Sequence, residues 1–399
     1  MDDFSFANVF GDGMVLQRGK QFAVWGSGPE GAEVSVSLGD DRCTARVSKG
    51  KWLCNLPPQK AGMGFTLQAS CGEKVILCRN VMIGEVFLAG GQSNMEFQMR
   101  YEAHWVEAQK LERNPMIRMY NCPRFAFAGQ VRDQQECGFW FDDSDVAWER
   151  FSALGYWFAR FLQPQLGVPV GIVGCNWGGT SASAWIPVED LKEAHLKVYL
   201  EDYYQTIRRC TLEDLEQRSL EGWAFLETPA HKAEVSRVMR GMSLAQQLEH
   251  IRNYSHVPSI PMGPYNKNRP GGLYQYMFQQ VVPFAFKAVL WYQGENDEHH
   301  AALYALLFET LIRRWRADLL QSDLPFFFVQ LAYFERWMEL DGRNFPAVRE
   351  QQEIASRTVK NCYMTTALDL GMRYDIHPKE KREVGRRLND LVLKQLYDK

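Results

Sequence analysis

The sequence predicts an α/β protein: a parallel sheet with helices on both faces, preceded by a small, jelly-roll-like β-sandwich. Three observations predict it. Short alternating segments separated by Gly-rich turns fill residues 1–80. From residue 81 continuous apolar runs alternate with helical stretches, the pattern of strands covered on both sides. The chain is 399 residues long, enough for two domains. The expected division is an accessory sandwich over 1–80 and a larger domain over 81–399, with a helical insertion at about 188–260.

In the first 80 residues Phe22-Ala23-Val24-Trp25-Gly26, Glu33-Val34-Ser35-Val36-Ser37-Leu38 and Thr44-Ala45-Arg46-Val47 read as strands. Phe65-Thr66-Leu67-Gln68-Ala69 and Lys74-Val75-Ile76-Leu77 flank a Cys71-Gly72-Glu73 turn. Nothing in this part carries a catalytic pattern. Beyond it, apolar runs at 85–90, 117–120, 168–173, 288–292, 326–331 and 363–367 predict buried strands. Helices are predicted at about 150–166, 300–320, 346–358 and 379–397. The last places Val384, Leu388, Leu391 and Val392 on one stripe. Residues 188–260 are charged and helical, and are expected to form a solvated hairpin rather than a lid.

Composition excludes several classes. Hydrophobic residues make up 46% and charged residues 23%, with a net charge of −3 and no Lys/Arg-rich block, so no nucleic-acid partner is expected. No apolar run approaches a membrane span, and Met1-Asp2-Asp3 is acidic where a secretory leader is basic. A cytoplasmic location and no membrane contact are expected. The nine cysteines are odd in number and lack metal-type spacing, so they are read as reduced. No metal site is expected.

The chemistry concentrates in two places. Gly90-Gly91-Gln92-Ser93-Asn94-Met95 follows the apolar run Val86-Phe87-Leu88-Ala89. A serine there stands just past a strand end, where open parallel sheets bind ligands, although a turn or helix N-cap serine occupies the same kind of place. Far downstream Asp375-Ile376-His377-Pro378 carries the last histidine of the chain. Serine needs a base to take its proton, and the base needs an acid to hold its tautomer. Ser93 is thus the candidate nucleophile, His377 the base and Asp375 the nearest acid. A tetrahedral oxyanion needs donors. The candidates are the amide of Ser93, those of Gly178 and Gly179 in Asn176-Trp177-Gly178-Gly179-Thr180, and the side chain of Gln293 or Asn296.

With these residues in view, the chain resembles the sialate O-acetylesterase family of the SGNH hydrolase superfamily. The resemblance covers nearly the whole chain. It runs from Phe10-Gly11-Asp12-Gly13-Met14-Val15-Leu16-Gln17-Arg18 and Val24-Trp25-Gly26 to Gly84-Glu85-Val86-Phe87 and Gly91-Gln92-Ser93-Asn94-Met95-Glu96. It continues through Trp177-Gly178-Gly179-Thr180, Ala184-Trp185, Trp291-Tyr292-Gln293-Gly294-Glu295, Phe328-Val329-Gln330-Leu331, Val348-Arg349-Glu350 and Asp375-Ile376-His377-Pro378. It implies an SGNH-type (flavodoxin-like) fold and a serine esterase that removes O-acetyl groups from sugars through an acetyl-enzyme, without metal or organic cofactor. It assigns the nucleophile to Ser93, the base to His377, the oxyanion glycine to Gly178 or Gly179, and the third-block asparagine to Asn296.

Two departures keep alternatives open. The Asp-x-His spacing, where many relatives have Asp-x-x-His, leaves Asp369, Glu295 or a backbone carbonyl as other partners for the ring. The order Gly294-Glu295-Asn296-Asp297, where many relatives have Gly-Glu-Ser-Asn, leaves Gln293 beside Asn296. Gln92, Asn94, Trp177, Glu295 and Arg269 are candidate substrate contacts. Trp185 and Trp291 fit sugar stacking or ordinary packing. The expected partner is a small acetylated sugar or oligosaccharide. Acetylated sialic acid stands first, with acetylated xylo- or manno-oligosaccharides, or a sugar-binding protein on an esterase scaffold, as alternatives.

Overall fold

The structure is a computed structural model and describes residues 4–132, 134–192, 196–253 and 258–397. Its spine is a single strand, Lys74–Gly91. The first half of this strand pairs antiparallel with Gly62–Cys71, and its last residues pair parallel with Val170–Asn176 and Ala288–Tyr292. The sequence reading had broken it at residue 80. Instead Val81 to Gly91 are all buried, and one strand joins the two regions, with register shifts in its pairing to Gly62–Cys71 and Asn80 at positive φ.

Before the spine, Ser5–Phe6, Phe22–Ser27 and Lys51–Leu56 form a three-stranded antiparallel sheet. Glu33–Leu38 pairs with Asp41–Arg46 and with Gly62–Cys71. Alternation explains both sets. Val34, Val36 and Leu38 point inward from one strand, and Trp52, Cys54 and Leu56 from another. The Lys51–Leu56 strand is not among the strands expected from sequence; its buried Trp52, Cys54 and Leu56 alternate with exposed positions, but apolar Leu53 at one of these blurs the period of two.

The central sheet runs Trp140–Phe141, Ile117–Asn121, Val170–Asn176, Lys74–Gly91, Ala288–Tyr292, Phe326–Gln330, Cys362–Thr366. All pairings in it are parallel except that of the Trp140–Phe141 edge. With the outer pair set aside, the five remaining strands read 2-1-3-4-5 in chain order. Helices cover both faces. Phe87 packs edge-on against Phe158 of the Ala153–Leu166 helix, with ring centroids 4.8 Å apart. Gly90, on the opposite face, lies against Trp291 and against Trp315 of the Tyr304–Asp318 helix. The Ala153–Leu166 helix has local reasons to start and stop. Ser152 Oγ accepts from the Gly155 amide at 3.0 Å, and Gly167 closes it in the left-handed region. The nine cysteines are all free thiols. Among the described residues no helix is long and apolar enough to cross a membrane.

Among its described residues the insertion holds the short helix Val188–Leu191 and four longer ones, Lys197–Ile207, Leu212–Leu226, Pro229–Met239 and Leu244–Asn253. Residues 193–195 and 254–257 of the expected span lie outside the described residues. Thr211 caps Leu212–Leu226 and Thr228 caps Pro229–Met239, with Pro229 at the first helical position. The insertion is not a free hairpin. Gln247 is 1% exposed; its amide donates to Tyr374 O and its oxygen accepts from the Met338 amide at 3.1 Å. Both partners belong to loops after central strands.

Candidate active site

The nucleophile turn is built by close backbone approach. A Cβ on Gly91, where φ is +131°, would lie 2.2 Å from Tyr292 O, so a side chain is excluded. The Gln92 amide then donates to Tyr292 O at 3.0 Å, and Ser93 opens the short helix Ser93–Glu96. Its amide, in the first turn, has no intrahelical acceptor. Ser93 lines a cavity of about 730 Å³ together with His377.

Asn94 is 1% exposed and holds this turn from below. Its Nδ2 donates to Glu295 Oε1 at 2.5 Å and to Ile376 O at 3.1 Å, and its Oδ1 accepts from Lys381 Nζ at 2.6 Å. The residue after the serine is thus tied to the residue before the histidine. Asn94 had been a candidate substrate contact; its side chain is spent on internal bonds. Gln92 is 3% exposed and knits in the same way, its Oε1 accepting from Gln293 Nε2 at 3.1 Å and from the Asn296 amide at 3.2 Å.

His377 and Asp375 are 4% and 3% exposed. Asp375 Oδ1 accepts from the His377 amide at 2.9 Å and lies 3.4 Å from the ring Nδ1, which is buried and makes no hydrogen bond among the described residues. Its Oδ2 is 2.9 Å from Lys379 Nζ. Burial alone would raise the Asp375 carboxyl, but the His377 and Lys379 interactions together hold it below the usual carboxylate range. Burial also pushes the His377 imidazole below its ordinary range; Asp375 opposes this, and the Lys379 and Lys381 charges add to it. The ring is therefore neutral at neutral pH. Trp337 packs edge-on against it, centroids 5.0 Å apart. Of the other acids considered, Asp369 is locked to Arg387 at 2.6 and 2.7 Å and stays ionised to a pKa of about 2, while the Glu295 oxygen bonded at 2.5 Å serves Asn94.

Among the oxyanion donors the structure separates the options. Gln293 is fully buried, and its amide bonds Gln92, Thr180 O and Asp297. It does not line the cavity, so that expectation is corrected: the donor is consumed in holding strand-end loops together. Asn296 is exposed and lines the cavity, its Nδ2 making one 3.3 Å contact to Asn268. Gly178 and Gly179 also line it. A Cβ on Gly178 would lie 3.2 Å from Ser93 Cβ. The Gly178 amide is taken, donating at 2.5 Å to Glu96, which also pairs with Arg124 at 3.2 Å.

The remaining expectations divide similarly. Trp177 lines the cavity at 6% exposure, under Arg132 and beside Trp223. Trp185 and Trp291 are fully buried core. Arg269 does not line the cavity; its guanidinium lies over the Tyr276 ring at 5.7 Å. Glu295 lines it at 6% exposure. The insertion supplies one wall through Leu226, His231, Val235 and Met239, and Lys379 Nζ donates to Met239 O at 2.7 Å. Sequence reasoning missed Lys381, which is fully buried, with Nζ 5.0 Å from the Phe97 centroid and a pKa that burial drags to about 7. The available signal was its place one turn before Val384 on the apolar stripe.

A serine, a neutral imidazole and glycine amides gathered at the carboxyl ends of parallel strands suit a carboxylic ester hydrolase. The comparisons agree. A family model described as carbohydrate esterase, sialic acid-specific acetylesterase, matches residues 83–262 and 215–394, and the chain belongs to that family. It is similar to the sialate O-acetylesterase of Rattus norvegicus, 26% identical over 429 residues, which cover 97% of this chain and 72% of the relative. The sialate O-acetylesterase of Homo sapiens is 25% identical, with 97% of this chain and 70% of the relative covered. Among solved structures, a carbohydrate acetylesterase from Xanthomonas citri matches with a TM-score of 0.73 and 26% identity, over 99% of this chain and 76% of that one.

Proposed function

We propose that this enzyme is a serine O-acetylesterase acting on acetylated sugars, with acetylated sialic acids as its preferred class. One observation carries the reading: Ser93 and His377 line the same cavity, with Asp375 Oδ1 3.4 Å from the ring Nδ1. Ser93 Oγ attacks the acetyl carbonyl as its proton passes to His377. The amides of Ser93 and of the Gly178–Gly179 turn, with Asn296, stabilise the oxyanion; Glu96 gives up the Gly178 amide as the oxyanion forms. The C–O bond to the sugar breaks, His377 protonates the leaving hydroxyl, and water repeats the cycle on the acetyl-enzyme to release acetate.

The motifs and the 2-1-3-4-5 strand order support an SGNH-type, flavodoxin-like catalytic domain from about residue 81, with an accessory β-sandwich before it. The family description and the relatives' names support the sialate preference.

The test is acetate release by wild type and Ser93→Ala. A loss of about 10⁴-fold or more is expected, together with loss of fluorophosphonate labelling. Equal turnover removes Ser93 from the mechanism. Acetylated sialic acid should be a better substrate than acetylated xylo- or manno-oligosaccharides; the reverse order overturns the substrate assignment.

A further inference from the structure

We propose that Arg132 and Lys267 form a carboxylate-binding subsite on the cavity wall, which selects acidic over neutral acetylated sugars. The inference rests on the esterase reading above and names residues for its substrate preference.

Both side chains line the cavity that holds Ser93 and His377. The Arg132 guanidinium stacks 4.9 Å from the Trp177 centroid and 5.4 Å from that of Trp223. Its Nε donates to Glu227 Oε1 at 3.0 Å, which fixes its plane. Its Nη1 is shielded from solvent and has no hydrogen-bond partner among the described residues. A buried guanidinium donor without an acceptor is unfavourable, and an incoming carboxylate removes that penalty. Lys267 Nζ sits over the same Trp177 ring at 5.7 Å and donates to Gly178 O at 2.6 Å. Burial, with Arg132 and Arg124 nearby, brings it down to about 8, so it stays largely cationic at neutral pH.

The surrounding charges leave an opening for an anion. Arg124 is committed to Glu96, and Lys232 shares Glu227 with Arg132. The cations Arg124, Arg132, Lys232 and Lys267 face the carboxylates Glu96, Glu227 and Glu136, and Glu136 is itself paired with Arg150 at 3.2 Å, so cations outnumber carboxylates in this group by five to three. A flat guanidinium fork beside an ammonium fits a planar carboxylate. The subsite borders the reacting centre, because Trp177 directly precedes Gly178, where a Cβ would lie 3.2 Å from Ser93 Cβ. An acidic sugar can therefore seat its carboxylate here while its acetyl group reaches Ser93. Arg269, one of the candidate substrate contacts from sequence, lies over Tyr276 and does not line the cavity.

The experiment compares kcat/KM on an O-acetylated sialic acid and on its carboxyl methyl ester, for wild type, Arg132→Gln and Lys267→Met. Wild type should favour the free acid. Arg132→Gln should lower that acid-to-ester ratio by roughly 10- to 100-fold, mainly through KM, and Lys267→Met should lower it in the same sense. If Arg132→Gln fails to fold, the Lys267→Met ratio decides alone. Ratios unchanged from wild type overturn the subsite. Equal wild-type rates on acid and ester, with acetate still released through Ser93, overturn it while leaving the esterase reading intact. No acetate release from any sugar acetate overturns both.

Discussion

Two ammonium groups stand behind His377, and they bias its proton equilibrium. A general base must be neutral, so kcat/KM falls as pH drops through the pKa of His377. Burial first, then Lys379 and Lys381, put that pKa below the ordinary imidazole value of 6.5. The acid limb of the pH profile is therefore expected below pH 6.5. Lys381, with a pKa of about 7, is charged over that limb. Lys381→Met removes a charge that disfavours imidazolium, so the limb should move to higher pH, by a few tenths to about one unit. A lower rate with an unmoved limb would show that Lys381 only packs. Asp375, paired with Lys379 at 2.9 Å, opposes these charges. Asp375→Asn keeps the shape but withdraws the charge that stabilises imidazolium, so kcat should drop by about 10²- to 10⁴-fold with little change in KM. A drop below tenfold, read from steady-state acetate release, would remove Asp375 from the triad.

At the scale of elements, the Lys381–Leu396 helix carries both a buried charge and a tight contact. A Cβ on Gly385 would lie 2.9 Å from the Phe158 amide and from Trp157 Cβ, so the helix packs closely on Ala153–Leu166. Gly385→Val forces the two apart; a loss of about 1–3 kcal/mol or more is expected in a urea midpoint, despite the better helix propensity of valine. The insertion makes a second element-scale contact. Gln247→Ala leaves the Met338 amide and Tyr374 O without their shared partner, at about 1–3 kcal/mol. Because both lie on loops around His377, hydrogen exchange at 372–377 should rise while the strand amides of Phe326–Gln330 stay protected. Uniform loss of protection would indicate global destabilisation instead.

Over the whole molecule, the site is a meeting of strand ends. The Lys74–Gly91 strand delivers Ser93, Val170–Asn176 delivers the Gly178 turn, and Ala288–Tyr292 delivers Glu295 and Asn296. The His377 loop arrives after Cys362–Thr366 and is clamped to the serine turn through Asn94. That convergence follows from parallel pairing, which puts the carboxyl ends of these strands on one edge of the sheet. The insertion then closes the cavity from the side with Leu226, Val235 and Met239.

Strand and helix placement in the parallel region was legible from the chain, because hydrophobic period depends on local spacing alone. The serine and histidine blocks were legible too, since glycines beside Ser93 and Asp375 beside His377 are neighbours in sequence. What the chain determined by itself was therefore its class, its alternation and the candidates for its reactive residues. The tertiary structure decided which polar groups remain free to act. Gln293 and Asn94 carry the same amide as Asn296, yet only Asn296 reaches the cavity; the others are consumed by partners distant in sequence. It likewise decided that Arg132 rather than Arg269 faces the cavity, and that the charged insertion is a wall. The physical reason is that hydrogen-bond saturation, burial and charge excess are sums over neighbours in space, which spacing along the chain does not contain.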